Sequence, residues 1–325
     1  MTLARRKFIQ LGAGAIALSA IPGPLWAQGY PNRPITLVVF VPPGAVPDII
    51  SRLVGDALSK RLGQPIIVEN RPGAGGNLAL QAVAQAPADG HMLLLLASPH
   101  AVNVSLYPNS RVSLIKDISP VASLNRDTFV LLVNPSMQAK SVAEFIAYAK
   151  ANPGKINLSS NGTGNLTHLA GELFKTATGI ETLHVPYRGS PAAFAALVAG
   201  DIHALIDTVG ASAPLVREGK LRALGVTSAQ RVAALPDVPA IAETVPGYVV
   251  TGWLGVGAPK GTPVDIVQRL NREINAVLNE PAIKSRLAEL GSELFVSTPD
   301  EFAKFTTEDA DKWAKVVKAA GLKIE

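Results

Sequence analysis

The chain has no cysteine, which excludes disulfides, thiolate nucleophiles and cysteine-held metal together. Its five histidines, His91, His100, His168, His184 and His203, include no pair four residues apart, and no Asp/Glu cluster stands at metal-ligand spacing. A metal site is therefore not expected. Aromatic residues are scarce as well. With 9 Phe, 3 Trp and 5 Tyr in 325 residues, few stacking platforms of the kind that hold sugars can be built. No Gly-x-Ser-x-Gly elbow occurs, since Arg188-Gly-Ser-Pro191 and Gly210-Ala-Ser-Ala-Pro214 both lack the second glycine. Arg71-Pro-Gly-Ala-Gly-Gly-Asn77 has neither the Gly-Lys-Ser/Thr ending of a P-loop nor the spacing of a dinucleotide fingerprint. It reads as a strand-to-helix turn. These gaps argue against an enzyme and against any cofactor.

The start of the chain is informative. Arg5, Arg6 and Lys7 precede an apolar run from Phe8 to Ile21, and Pro22-Gly-Pro-Leu-Trp-Ala27 follows with a small-residue cleavage site. This is the form of an export signal over residues 1–27. The run contains glycines and ends at a proline, which does not suit a membrane-spanning helix. Arg5-Arg6-Lys7-Phe8-Ile9 also has the form of a twin-arginine signal, although any secretory n-region is basic, so both export routes stay open. The formal charge of +5 owes three positive charges to this segment. What remains is nearly neutral and carries no Lys/Arg block, which excludes a nucleic-acid partner.

The remaining residues alternate in period. Ile35–Phe40 is a continuous apolar, β-branched run between prolines, the pattern of a strand buried on both faces. Ile49/Ile50, Leu53/Val54 and Ala57/Leu58 then recur every four residues up to Leu62, with Gly63 as a stop. Strands are predicted at 66–68, 92–97, 156–158, 183–185, 202–206 and 223–226, and helices at 77–86, 142–150, 166–178 and 191–199. This alternation predicts an α/β fold. Helices are expected over 264–278, 282–290 and 299–320, with 294–296 extended. Two long extended stretches, 121–133 and 248–258, are the candidate crossings between two domains.

Two loops carry the functional expectation. Pro42-Pro-Gly-Ala-Val-Pro-Asp48 lies between the first strand and first helix, and Ser159-Ser-Asn-Gly-Thr-Gly-Asn165 immediately precedes Leu166. Small loops entering helix N-termini leave backbone N–H groups for an anion. Each can equally be an ordinary capped helix start, with Asp48 and Asn165 as cap residues. Placed in different domains, the two loops can face each other across a cleft, so that a ligand touching both favours the closed state.

Several motifs in order resemble those of the Bug family, the receptors of tripartite tricarboxylate transporters. They are Pro42-Pro-Gly44 with Asp48, Asn70-Arg-Pro-Gly-Ala-Gly-Gly-Asn77, Ala88-Asp-Gly90, His168-Leu-Ala-Gly-Glu-Leu-Phe174, Val185-Pro-Tyr-Arg-Gly-Ser190, Gly219-Lys-Leu-Arg-Ala-Leu224 and Leu235-Pro-Asp-Val-Pro239. The resemblance implies a type II periplasmic-binding-protein fold, two α/β domains joined by two crossing strands. With the proposed crossings, residues 28–124 and 252–325 form the first domain and 125–251 the second. It implies a periplasmic protein that captures a small organic carboxylate and works with two integral membrane transporter subunits. The alternative is a receptor feeding a membrane sensor kinase.

Carried over residue by residue, the resemblance selects Pro42, Gly44, Ala45, Val46 and Asp48 on one side and Gly162, Thr163, Gly164 and Asn165 on the other. Asp48 is expected to fix its loop. Ser98 is either a ligand contact or a turn residue, and Asp207 either binds a ligand ammonium or water or caps its loop. His168 reads as a core histidine. Asn165 stands where the family has Ser or Thr, and Ala45-Val46-Pro47 replaces glycine-rich, hydroxyl-bearing sequence. Pro47 removes a backbone donor, and Val46 implies a ligand with an apolar portion nearby.

Overall fold

The apolar run after Pro34 forms β1 (Ile35–Val39), the loop beyond it leads into α1 (Val46–Leu62), and Gly63 ends that helix in the left-handed conformation. The unit repeats through β2 (Ile66–Asn70), α2 (Asn77–Ala84), β3 (Met92–Ala97), α3 (Ser98–Leu106) and the short α4 (Leu114–Asp117). A long strand, β4 (Ile118–Val133), opens a second series. This comprises α5 (Val142–Ala151), β5 (Ile156–Ser160), α6 (Leu166–Thr178), β6 (Thr182–Pro186), α7 (Ser190–Ala199), β7 (Ala204–Thr208), α8 (Val209–Arg217) and β8 (Arg222–Val226). The chain then returns through β9 (Thr251–Pro259), α9 (Val264–Leu278), α10 (Pro281–Glu289), β10 (Ser292–Leu294) and α11 (Pro299–Ala319). The computed structural model describes residues 29–319 and 321, so the expected export signal and twin-arginine motif lie outside the described residues.

The strand order is β2-β1-β3-β9-β4-β7-β5-β6, with β8 and β10 also paired to β4. β4 belongs to two sets of pairings: Ile118–Thr128 runs against β9, whereas Phe129–Val133 runs against β7. β1 and β2 are parallel, as are β5 and β6. Among the described residues, 31–319 pack as one compact unit. One core cluster joins Phe145, Phe174 and Tyr248 with Trp253, Phe302 and Trp313, all buried. A second lies on the other face of β4, around Val130, Leu132, Leu205 and Leu197. α11 packs along α3 and also reaches α6, and its Asp309 accepts a 2.8 Å bond from the Trp253 indole N–H. Among the described residues no helix is long and apolar enough to cross a membrane.

Several boundaries differ from expectation. The strand predicted at 202–206 lies at Ala204–Thr208, which puts Asp207 inside the strand end instead of beyond it. β10 begins two residues earlier than predicted, and the return strand begins at Thr251 rather than 248. Helices α3, α4 and α8 are additions to the predicted set: α3 opens on Ser98-Pro99, where a turn is one expectation, and α8 carries Gly210 and Pro214, both unfavourable to a helix. Pro99 is tolerated in the first turn of α3, where no N–H is required.

Candidate functional site

The strand directions bring the two anion loops to one place. β3 and β4 both run antiparallel to β9, so they share a direction, and β7 opposes it. Ala97, the last residue of β3, is level with Leu254 and through it with Asn125 of β4. Thr208, the last residue of β7, is level with Phe129. The C-terminal ends of both parallel sets therefore point at each other over the segment Asn125–Phe129, roughly 13 Å at about 3.3 Å per residue. Crevices at the carboxyl ends of parallel strands are where open α/β sheets take ligands.

On one side stands the loop from Pro42 to Asp48. Asp48 is 2% exposed and uses both carboxylate oxygens. Oδ2 accepts from the Gly44 N–H at 2.9 Å and Arg52 Nε at 3.2 Å, and Oδ1 accepts from Arg52 Nη2 at 2.9 Å and Asn70 Nδ2 at 2.8 Å. Asn70 also donates to the Val41 carbonyl, tying the loop to the end of β2. Burial alone would push the Asp48 carboxyl up, but hydrogen bonds from Arg52, Gly44 and Asn70 outweigh it and hold it below the usual carboxylate range. Asp48 thus clamps its loop. Pro42, Pro43, Gly44 and Val46 are exposed and Ala45 is half-buried. Ser98 is buried, and its hydroxyl accepts the Trp253 N–H at 3.0 Å, a tie between the start of α3 and β9.

On the other side, Asn165 caps α6, its Oδ1 accepting from the His168 N–H and the Thr167 hydroxyl. The Gly164 N–H donates to His168 Nδ1 at 3.0 Å. The ring of His168 stacks on that of His184 with centroids 3.7 Å apart. His184 Nε2 lies 2.7 Å from the Ser160 hydroxyl, which also bonds the Gly162 carbonyl. Asn161 reaches from the same loop to Ser190 and to Asp207 Oδ1. That one oxygen also accepts from the Ser190 hydroxyl and the Thr208 N–H, while Oδ2 is buried without a partner among the described residues. Burial pushes the Asp207 carboxyl up, against the pull of those donors. The structure thus joins Gly162, Thr163, Gly164, Asn165 and Asp207 into one assembly. Asn161, Ser160, Ser190 and His184 complete it. Sequence reading meets these four only inside a loop, a motif or a list of histidines and gives none of them a role, because their partnership depends on three strands that are distant in sequence.

His168 is the core histidine expected, and it also supports the loop, since its unprotonated Nδ1 holds the Gly164 N–H. Burial lowers both imidazoles, His184 to about 4, with Lys175 and, for His184, its stacked neighbour adding to the effect and Glu172 opposing it. Their folded values lie below the unfolded value of about 6.5. As pH falls, the unfolded chain takes up protons that the folded one refuses, so stability is lost between about 6.5 and about 4. Melting temperature against pH should fall across this window, and His184→Gln should flatten the fall.

The family model "Tripartite tricarboxylate transporter family receptor" matches residues 50–322. Protein BugT of Bordetella pertussis is 38% identical over 313 residues, 95% of this chain and 96% of BugT. Among solved structures, an R. palustris protein with adipate superposes at a TM-score of 0.78 with 37% identity, covering 91% of this chain and 100% of the other. MatC from Rhodopseudomonas palustris with bound malate superposes at 0.75 with 33% identity, covering 89% of this chain and 100% of MatC.

Proposed function

The chain belongs to the tripartite tricarboxylate transporter receptor family, and from that premise we propose that it captures a small organic carboxylate by closing two halves over it. It is a periplasmic binding protein, not an enzyme, and it serves membrane components of a transporter. Residues 28–124 with 252–325 form one half and 125–251 the other, and the two move about the crossing near Asn125–Phe129. The partners are two integral membrane subunits, and residues 1–27 direct export, by the general secretory or the twin-arginine route. The observation that carries the reading is the convergence of two helix-start loops on one stretch of β4. One loop is clamped by Asp48, and the other is held by His168 and Asn161. Neither loop presents a free cationic side chain, since Arg52 is committed to Asp48. The anion is held by N–H and hydroxyl donors, which hydrogen-bond carboxylate oxygens without a counter-charge.

The test uses protein purified without unfolding beside a portion unfolded and refolded to strip bound ligand. Both are assayed by thermal shift and native mass spectrometry against organic acids, amino acids and sugars. A ligand at 100 times its Kd adds about 2.7 kcal/mol, and carboxylates should supply this shift. A shift with neutral sugars alone, or with nothing, overturns the proposal.

A further inference from the structure

The two loops differ in what they can offer a ligand, and the difference is readable donor by donor. Between Pro42 and Asp48, three positions are proline and have no N–H. The Gly44 N–H is taken by Asp48 and that of Ala45 by the Pro42 carbonyl. Of this loop's N–H groups, only those of Val46 and the buried Asp48 have no partner among the described residues. What this loop does present is hydrocarbon: Pro42, Pro43 and the Val46 side chain are exposed, Val46 at 42%. On the opposite side the Asn161, Gly162 and Gly164 N–H groups are committed within the loop. Those of Thr163, Asn165, Leu166 and Thr167 have no partner among the described residues, nor does the Thr163 hydroxyl. This second loop is rigid, because its own bonds fix it, and still rich in donors. Beneath it, the buried acceptors Asp207 Oδ2 and Asn161 Oδ1 have no partner among the described residues; they offer a carboxylate no bond, and it is the four open N–H groups and the Thr163 hydroxyl that make this side the polar pole of the site.

We propose that the ligand is an amphipathic monocarboxylate bound in one polarity, its carboxylate on Thr163–Thr167 and a branched or aromatic body against Val46 and Pro42-Pro43. The inference rests on the carboxylate-capture reading above and adds the class and orientation of the acid. A second carboxylate or a hydroxyl carried to the Val46 side would lose its water and find only two backbone donors, one of them buried. An apolar group placed there instead removes exposed hydrocarbon from water.

The test measures Kd for benzoate and for malate by calorimetry on stripped protein, with two near-isosteric variants at the two poles. Wild-type protein should bind benzoate at least about tenfold more tightly than malate, the size of effect expected from burying one such group. Val46→Thr, which keeps the shape and adds a hydroxyl, should weaken benzoate about fivefold or more and leave malate unchanged or improved. Thr163→Val removes a donor from the polar pole and should weaken both acids by a similar factor. Malate binding more tightly than benzoate, or Val46→Thr affecting both acids equally, overturns the assigned polarity while leaving carboxylate capture standing. Binding of neither acid, with no response to other carboxylates, overturns both readings together.

Discussion

Asp48→Ala should cost the protein on the order of 100-fold or more in carboxylate affinity while leaving a folded chain. The Gly44 N–H, two nitrogens of Arg52 and Asn70 Nδ2 all converge on this carboxylate, and removing it leaves the Gly44 N–H and Arg52 Nε without an acceptor, while Asn70 Nδ2 keeps the Val41 carbonyl and Arg52 Nη2 keeps Asn70 Oδ1. Hydrogen bonds to a charged group are worth about 1.5–3 kcal/mol each. Arg52 is half exposed and recovers its share from water, so the net loss of stability should be about 2–4 kcal/mol. At roughly 2–4 °C per kcal/mol for a chain of this size, the fold survives. The loop does not keep its shape, because only the Ala45–Pro42 bond remains inside it. Asp48→Asn should rescue little, since its amide nitrogen turns a donor toward a neighbouring donor. Calorimetry gives the affinity and thermal unfolding the stability. The clamp's contribution is complete above the unfolded Asp value of about 3.9 and is lost as pH falls below it through the lowered folded value. Acid loosening from this source therefore begins below the window assigned to His168 and His184.

The second large effect is expected at Gly210. This residue sits in the first turn of α8, three residues after Asp207, and packs on the turn that precedes β10. A Cβ on Gly210 would lie 2.5 Å from the Leu290 carbonyl oxygen and 3.2 Å from Gly291 Cα, contacts with backbone that no rotamer change relieves. Gly291 has φ +75, so its own side is occupied by a conformation that favours glycine. Gly210→Val should drive α8 and this turn apart, at a cost of about 1–3 kcal/mol. Because α8 follows directly from β7, the displacement is passed to Asp207 and the loop resting on it. Carboxylate affinity should fall by at least about tenfold, on the scale of 1.4 kcal/mol per decade. Small-angle scattering should show less closure on adding ligand than in the unsubstituted protein. A Gly210→Val protein with native affinity would remove this contact from any role in the site.

Much of the architecture was legible because its signals are local. Helix α6 runs over Leu166–Thr178 as predicted, behind its cap Asn165. α1 is equally plain from its four-residue apolar repeat. β1, from its continuous apolar and β-branched run, could be read as a strand buried on both faces. Legibility failed where a short element opens on residues that also build turns: Ser98-Pro99 at α3, Gly210 and Pro214 in α8. On the candidate site, the two loops and Asp48 could be found from composition alone, since runs of small residues directly before an amphipathic helix leave its first N–H groups open to an anion. What could not be read is the support. Ser160, His184, Asn161, Ser190 and Asp207 come from β5, β6, β7 and the loops beyond them, and only strand pairing in the order β7-β5-β6 brings them together. Nothing in the spacing of His168 and His184 announces a stacked pair. The donor imbalance between the loops was half visible, since the prolines are plain in the sequence, while the commitments of Gly44, Gly162 and Gly164 require coordinates.

The position of β9 between β3 and β4 governs the order in which the chain can assemble. β5 to β8 can find one another within a continuous stretch, and their pairings with the second half of β4 need nothing later than Val226. β3 must wait. Its partner along Leu94–Ala97 is Leu254–Gly257, and closing so long a loop is slow. Until Thr251–Pro259 is made and inserted, β3 and the first half of β4 each carry a bare edge, the kind that recruits strands from other chains. α11 seals the same place, setting Phe302 and Asp309 against Trp253 of the inserted strand. A nascent chain released before this point would be a ready seed for aggregation, so early folding carries the greater risk for the half that begins the polypeptide.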